Sequence, residues 1–167
     1  DMEGLKFRAY NLGTERVADL AKAVPTQIEA SDVPTAFATG RVEAMITSPS
    51  TGVDSKVWDF LTHYHDTQAW LPRNMVIVNK AAFDALSDAE KTAVTEAAAA
   101  AETRGWDMSE VETKEKTQAL SDNGVTVVTP SDELKAGFTE IGKTIADEWK
   151  SNAGADGEAL LKAYSGN

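Results

Sequence analysis

The spacing of apolar positions changes along the chain. Leu5, Phe7 and Ala9 alternate with Lys6, Arg8 and Tyr10, a period of two that predicts a strand over residues 5–10 with one apolar face. Asn11-Leu12-Gly13-Thr14 reads as a turn, with Thr14 capping a helix that carries Val17, Leu20, Ala21 and Val24 at helical spacing. Pro25 stops that helix, and residues 26–29 read as a short strand. Ser31 is expected to cap a helix running to Ala38, with Pro34 in its first turn and Gly40 as its stop. Residues 42–47 predict another strand, which ends in the hydroxyl cluster Thr47-Ser48-Pro49-Ser50-Thr51. A helix is expected around 54–61, residues 63–68 are compatible with a strand, and 74–79 have the continuous apolar run of a strand buried on both faces. Strand and helix alternate through the first eighty residues, so the expected fold class is α/β, a mostly parallel sheet with crossover helices.

The second half changes period. Ser87-Asp88-Ala89-Glu90 is a capping-box start for a helix expected to run to about residue 121, far beyond the usual ten to fourteen residues. Gly105 inside it is a candidate kink. Asn123-Gly124 turns the chain into a strand over 125–128. Pro130-Ser131-Asp132 opens a helix with Leu134, Phe138, Ile141, Ile145 and Trp149 on one side, and Gly154 separates a last short helix. Trp58, Trp106 and Trp149 sit at helical spacing and read as packing residues.

Composition narrows the function classes. Sixteen Lys and Arg against 27 Asp and Glu leave a net charge of −11, which excludes a phosphate-backbone binder. With no cysteine there is no disulfide framework, thiolate metal site or thiol nucleophile. No apolar run reaches the length of a membrane span, and Asp1-Met2-Glu3-Gly4 has neither the basic region nor the apolar run of a signal peptide. No phosphate-loop, dinucleotide, nucleophile-elbow or zinc-protease motif is present. His63 and His65 fall on one face of a strand beside Asp66, but two ligands do not make a metal site, and a solvated strand edge explains them. No metal and no cofactor is expected.

Three places carry candidate chemistry. Arg8 sits near the C-terminal end of a strand, where open α/β sheets bind ligands, and its planar fork matches a carboxylate; an exposed or ion-paired arginine is the alternative. The cluster from Thr47 to Thr51 ends a neighbouring strand and precedes a helix, which suits an oxygen-rich ligand, or else Ser50 or Thr51 is simply an N-cap. Trp70-Leu71-Pro72-Arg73-Asn74 precedes a buried-type strand, and Trp70 either walls a pocket or packs beneath the loop.

These places fall in the order of a known family. Gly4-Leu5-Lys6-Phe7-Arg8 is similar to its Gly-Leu-Lys-hydrophobic-Arg strand, and residues 36–44 (Ala-Phe-Ala-Thr-Gly-Arg-Val-Glu-Ala) to its A-L-x-T-G-x-V-D-G segment. The loop 47–52, Ser55-Lys56-Val57-Trp58 and Val76-Ile77-Val78-Asn79-Lys80 with Phe83 and Leu86 follow in register. The chain resembles the C-terminal half of the DctP-like extracytoplasmic solute receptors of TRAP transporters, over essentially its whole length.

The resemblance implies a receptor in the periplasm, not an enzyme. It implies two α/β lobes closing on a small organic acid and delivering it to TRAP membrane permease subunits. Arg8 matches the arginine that pairs with the ligand carboxylate. An Asn often follows the family's Val-Asp-Gly strand, and here Thr47 or Ser48 stands in its place. The expected ligand-binding set is Arg8, Asn11, Thr47, Ser48, Ser50, Thr51, Trp70 and Asn74. The family runs to roughly twice this length. The expected division is therefore a second lobe (1–69), a return segment towards an absent first lobe (70–86), and a long spanning helix with C-terminal elements (87–167). The missing signal peptide would belong to the absent half, and elements orphaned from the first lobe should expose an apolar surface or be covered by another chain. Two further readings remain at this point: an α/β enzyme of small-acid metabolism using His63, His65 or a carboxylate, and a ligand sensor for a signalling partner.

Overall fold

The computed structural model describes residues 2–165. Strand β1 (Lys6–Ala9) forms the middle of a three-stranded parallel sheet, flanked by β2 (Val24–Gln27) and β3 (Ala44–Met45). Arg8 is in register with Thr26 on one side and Met45 on the other. Helix α1 (Leu12–Leu20) crosses from β1 to β2, and α2 (Val33–Ala38) from β2 to β3, preceded by a 3-10 turn over Ala30–Asp32. After β3 come α3 (Pro49–Asp54), a 3-10 turn (Val57–Asp59) and β4 (His63–His65). Residues 66–79 then lead to α4 (Lys80–Asp84), α5 (Asp88–Asp122), β5 (Thr126–Val128) and α6 (Asp132–Ser165). β4 and β5 pair in parallel as a second, two-stranded sheet.

The alternation in β1 sorts residues between the two faces of the sheet. Phe7 packs with Ala18 and Ala23, joined by Ala44 and Ile46. On the other face Ile28, Val33, Ala36 and Val42 form a cluster with Phe37, Met45 and Phe60, the two phenylalanine rings stacking 4.8 Å apart. A third cluster of Val57, Leu120 and Val125 binds the end of α5 to β5 and the turn before β4.

Several boundaries differ from the sequence reading. Helix α1 starts at Leu12, because Asn11 rather than Thr14 is the cap: its Oδ1 accepts from Thr14 N at 2.8 Å, while Thr14 Oγ1 accepts from Asn11 N, a closed capping box. Pro25 lies inside β2, which tolerates it as an edge strand. Ser31 caps nothing. The helix expected at 54–61 begins earlier, at Pro49, since Ser48 caps it and proline's fixed φ suits a first helical turn. Lys56, at φ 48°, ends the turn and leaves only 3-10 geometry beyond. Helix α5 runs unbroken through Gly105, whereas α6 breaks at Gly154 (φ 60°, ψ −142°), where a residue with a Cβ is strained. Trp106 and Trp149 are about half exposed and are not core residues.

The largest departure is at 74–79. These residues form no strand; no segment among those described pairs with them, and Met75, Val76, Ile77 and Val78 are exposed. An apolar run becomes a buried strand only when neighbours cover its edges and faces, and here they are lacking.

Candidate functional site

Arg8 is 3% exposed. Its Nε donates to the Ile28 carbonyl at 2.9 Å, and its guanidinium lies 4.9 Å from the centre of the Tyr10 ring, two residues on along the same strand face. No hydrogen bond or ion pair among the described residues engages Nη1 or Nη2. Burial lowers its pKa from the ordinary value, and nearby Tyr10 and Glu29 partly restore it; an arginine stays charged under such shifts. One edge of the fork is thus anchored and the other two nitrogens remain available for a planar anion.

The strands are parallel, so the C-terminal ends of β1 and β3 share one edge of the sheet. Met45 packs with Ile28, β3 ends there, and Thr47 follows two residues beyond it. The hydroxyls beyond are mostly engaged. Ser48 Oγ accepts from Thr51 N at 3.1 Å and meets Thr51 Oγ1 at 3.2 Å, and Ser50 Oγ donates to Glu112 of α5 at 3.0 Å. Those bonds make Ser48 and Thr51 a helix cap and Ser50 a tie to α5. Thr47 has no side-chain hydrogen bond among the described residues.

Asn11 caps the first turn of α1, and Trp70 lies against that turn at Gly13. Asn11 Oδ1 is occupied by the cap, which leaves its Nδ2 as the free end. Trp70 lies against Gly13, and its Nε1 is buried with no partner among the described residues. Asn74 is exposed, while its neighbour Arg73 stacks 5.2 Å from the centre of the Trp106 ring. Arg8 thus lies near the C-terminal end of β1, Thr47 follows two residues after the paired strand β3, Trp70 lies against Gly13 in α1, and Ser48 caps α3 with Thr51. Asn74 is given no contact with them. Sequence reasoning missed Tyr10 and Gly13. The i, i+2 spacing of Arg8 and Tyr10 was the available signal for the first; a glycine inside a helix turn was the signal for the second.

His63 and His65 stand on the other sheet, exposed, their rings 6.5 Å apart, with His63 Nδ1 2.8 Å from Thr62 Oγ1. Between them, burial with help from Asp66 pushes the Tyr64 phenol up to about 12, so it stays neutral. No group of three or more His, Asp or Glu side chains among the described residues could hold a metal ion. No described helix is long and apolar enough to cross a membrane. A depression of about 510 Å³ between α2 and α3, lined by Pro34, Ala38, Lys56 and Phe60 among others, contains none of the candidate residues.

Residues 1–152 match the family model DctP, bacterial extracellular solute-binding protein, family 7. Among solved structures, the chain is 42% identical to DctP6, a Bordetella pertussis extracytoplasmic solute receptor binding pyroglutamic acid, with a TM-score of 0.93 over 99% of this chain and 55% of that one. DctP7 of the same organism, also described as binding pyroglutamic acid, is 44% identical with a TM-score of 0.92, over the same shares of the two chains. A marine metagenome TRAP solute-binding protein, in complex with co-purified pyroglutamate, is 37% identical with a TM-score of 0.91 over all of this chain and 55% of its own. The chain thus spans about half the length of these receptors. A comparison with curated proteins found no match. The family match over nine-tenths of the chain and the identity to these receptors make one conclusion plain: this chain belongs to the DctP family of bacterial extracellular solute-binding proteins.

Proposed function

We propose that this chain is the ligand-anchoring part of a TRAP solute receptor, working in the periplasm, and that it captures a small monocarboxylate of the pyroglutamate type. The observation that carries the reading is Arg8: a buried guanidinium, oriented by the Ile28 carbonyl, with both Nη nitrogens uncommitted at the C-terminal end of β1. A fixed cation in such a place stabilises a carboxylate by a charge-assisted, two-pronged hydrogen bond. This chain's own net charge of −11 repels anions at long range, so it is the short-range contact with Arg8 that would hold the ligand. Thr47, two residues beyond β3, and the Nδ2 of Asn11, at the start of α1, are uncommitted polar groups that would meet the rest of the ligand, and Trp70 would supply an apolar wall. Ser48, Ser50 and Thr51 shape the loop through their hydrogen bonds, and Asn74 stays a weaker candidate for ligand contact.

The exposed apolar residues 75–78 support a second lobe covering the return segment, as does the fact that relatives are nearly twice as long. Closure of two lobes would bury the ligand and present a surface to the TRAP permease subunits. A catalytic role is disfavoured by the placement of His63 and His65 on the other sheet.

Calorimetric titration of pyroglutamate into the receptor that contains this chain tests the proposal. Arg8→Ala should weaken binding by about tenfold to a hundredfold, the equivalent of roughly 1.5–3 kcal/mol for a hydrogen bond to a charged group. Unchanged affinity in that variant removes Arg8 from the site.

A further inference from the structure

The indole of Trp70 rests on the first turn of α1 at a point where the chain has glycine. A Cβ at Gly13 would overlap Cη2 and stand 2.9 Å from Cζ2 of that ring, closer than carbon atoms pack. The backbone itself does not ask for glycine there, because Gly13 is an α-helical residue outside the left-handed region. Helix propensity argues for alanine at such a position. Among the other helical glycines, Gly105, Gly137 and Gly142 have open space where a Cβ would go, whereas a Cβ would stand 3.3 Å from Leu120 at Gly52 and 2.6 Å from Ala153 at Gly157. Gly13 is therefore accounted for by the ring above it.

Trp70 Nε1 is buried and meets no acceptor among the described residues, so its seat is set by shape rather than by a hydrogen bond. Gly13 lies two residues beyond the cap Asn11 and five beyond Arg8, on the helix that leaves the same end of β1.

We propose that Gly13 is a positioning residue of the ligand site: its missing side chain lets Trp70 wall the crevice at the end of β1, and through that ring Gly13 sets ligand affinity. The inference rests on the receptor reading above. It predicts that Gly13 and Trp70 act as one unit.

A double-mutant cycle with pyroglutamate as the probe, on the receptor containing this chain, tests it. Gly13→Ala should weaken binding by about tenfold. The Tm should be unchanged or raised, because alanine favours the helix. In a Trp70→Phe background the same substitution should change affinity by less than about twofold, since phenylalanine lacks the outer ring that the Cβ would strike. A lowered Tm in Gly13→Ala that Trp70→Phe restores would mark the clash, and without the affinity loss it overturns the ligand role of Gly13. Equal losses in both backgrounds, or a Gly13→Ala receptor that binds like the wild type, overturn it while leaving the receptor reading intact. A wild-type receptor that binds neither pyroglutamate nor any other small organic acid overturns the receptor reading, and the ligand role of Gly13 with it.

Discussion

Residues 5–9 and 75–78 are both apolar stretches, yet they meet opposite fates. The first, Leu5-Lys6-Phe7-Arg8-Ala9, contains two charges and is nevertheless the centre of a sheet, with Phe7, Arg8 and Ala9 all buried. The second, Met75-Val76-Ile77-Val78, contains none, and its exposure runs from 63% to 103%. The more apolar segment is the more exposed one. Burial is therefore decided by partners: β1 has β2 and β3 on its edges and helices on its faces, whereas 75–78 have no paired strand. Each apolar side chain left in water forfeits about 1.5–3 kcal/mol, so Met75 to Val78 as they stand hold several side chains' worth of unrealised burial.

The largest expected effect separates these regions by substitution. Phe7→Ala removes a ring buried among Ala18, Ala23 and Ile46 and should lower the unfolding free energy by about 3–5 kcal/mol in urea denaturation. Ile77→Ala in this chain should stay within about 0.5 kcal/mol, as substitutions at uncovered positions do. In a receptor with a second lobe over the return segment, the same Ile77→Ala should instead cost about 2–5 kcal/mol. Equal, small effects of Ile77→Ala in both settings would break the comparison, because 75–78 would then be a surface segment in its own right.

A smaller effect belongs to the start of α5, which rises from the exposed region. Ser87 Oγ and Glu90 close a capping box, with Ser87 N donating to Glu90 Oε2 at 2.8 Å. Ser87→Ala should cost about 1 kcal/mol. Hydrogen exchange should show the loss in the first turn of α5 while amide protection in β1 is unchanged. Loss of protection in both would mean that the two regions unfold as one unit.

What could be read from the chain follows the same division. The period-two pattern at 5–10, the crossover helices, the box at Ser87 and the break at Gly154 are local signals, and local physics placed them within a few residues. The capping of α1 by Asn11 was misplaced by three positions because both Asn11 and Thr14 are good caps and their reciprocal bonds are invisible in a sequence. Arg8 was legible as a candidate from its strand position, but its anchor is a backbone carbonyl of Ile28, twenty residues away, which no side-chain pattern encodes. The strand expected at 74–79 failed for the opposite reason: its composition was read correctly, and the missing ingredient was a partner. Trp106 and Trp149 went the same way, since helical spacing gives the face of a helix and not what covers it.

The smallest expected effect asks which region loosens first in acid. Two carboxylates are held below their ordinary range, one in each region. The hydrogen bond from the Arg16 side chain lowers Glu148, which accepts from Arg16 Nε at 3.0 Å and so ties α6 back to α1; the Ser87 hydroxyl and backbone N–H lower Glu90 at the start of α5. A carboxylate with a depressed folded pKa adds stability that is present above its unfolded value, 4.5 here, and that fades as pH falls through the folded value. Both contacts are on the surface and solvent-screened, so each effect is small. The Tm of the wild type should fall between pH 5 and pH 3 by slightly more than that of Glu148→Gln, with the two curves converging at the acid end. The variant keeps the Glu90 box, so its remaining acid sensitivity includes the share due to α5. If the wild-type and Glu148→Gln curves stay parallel over this range, the Arg16–Glu148 pair does not hold α6 to the sheet, and the packed region owes its order to the apolar clusters alone.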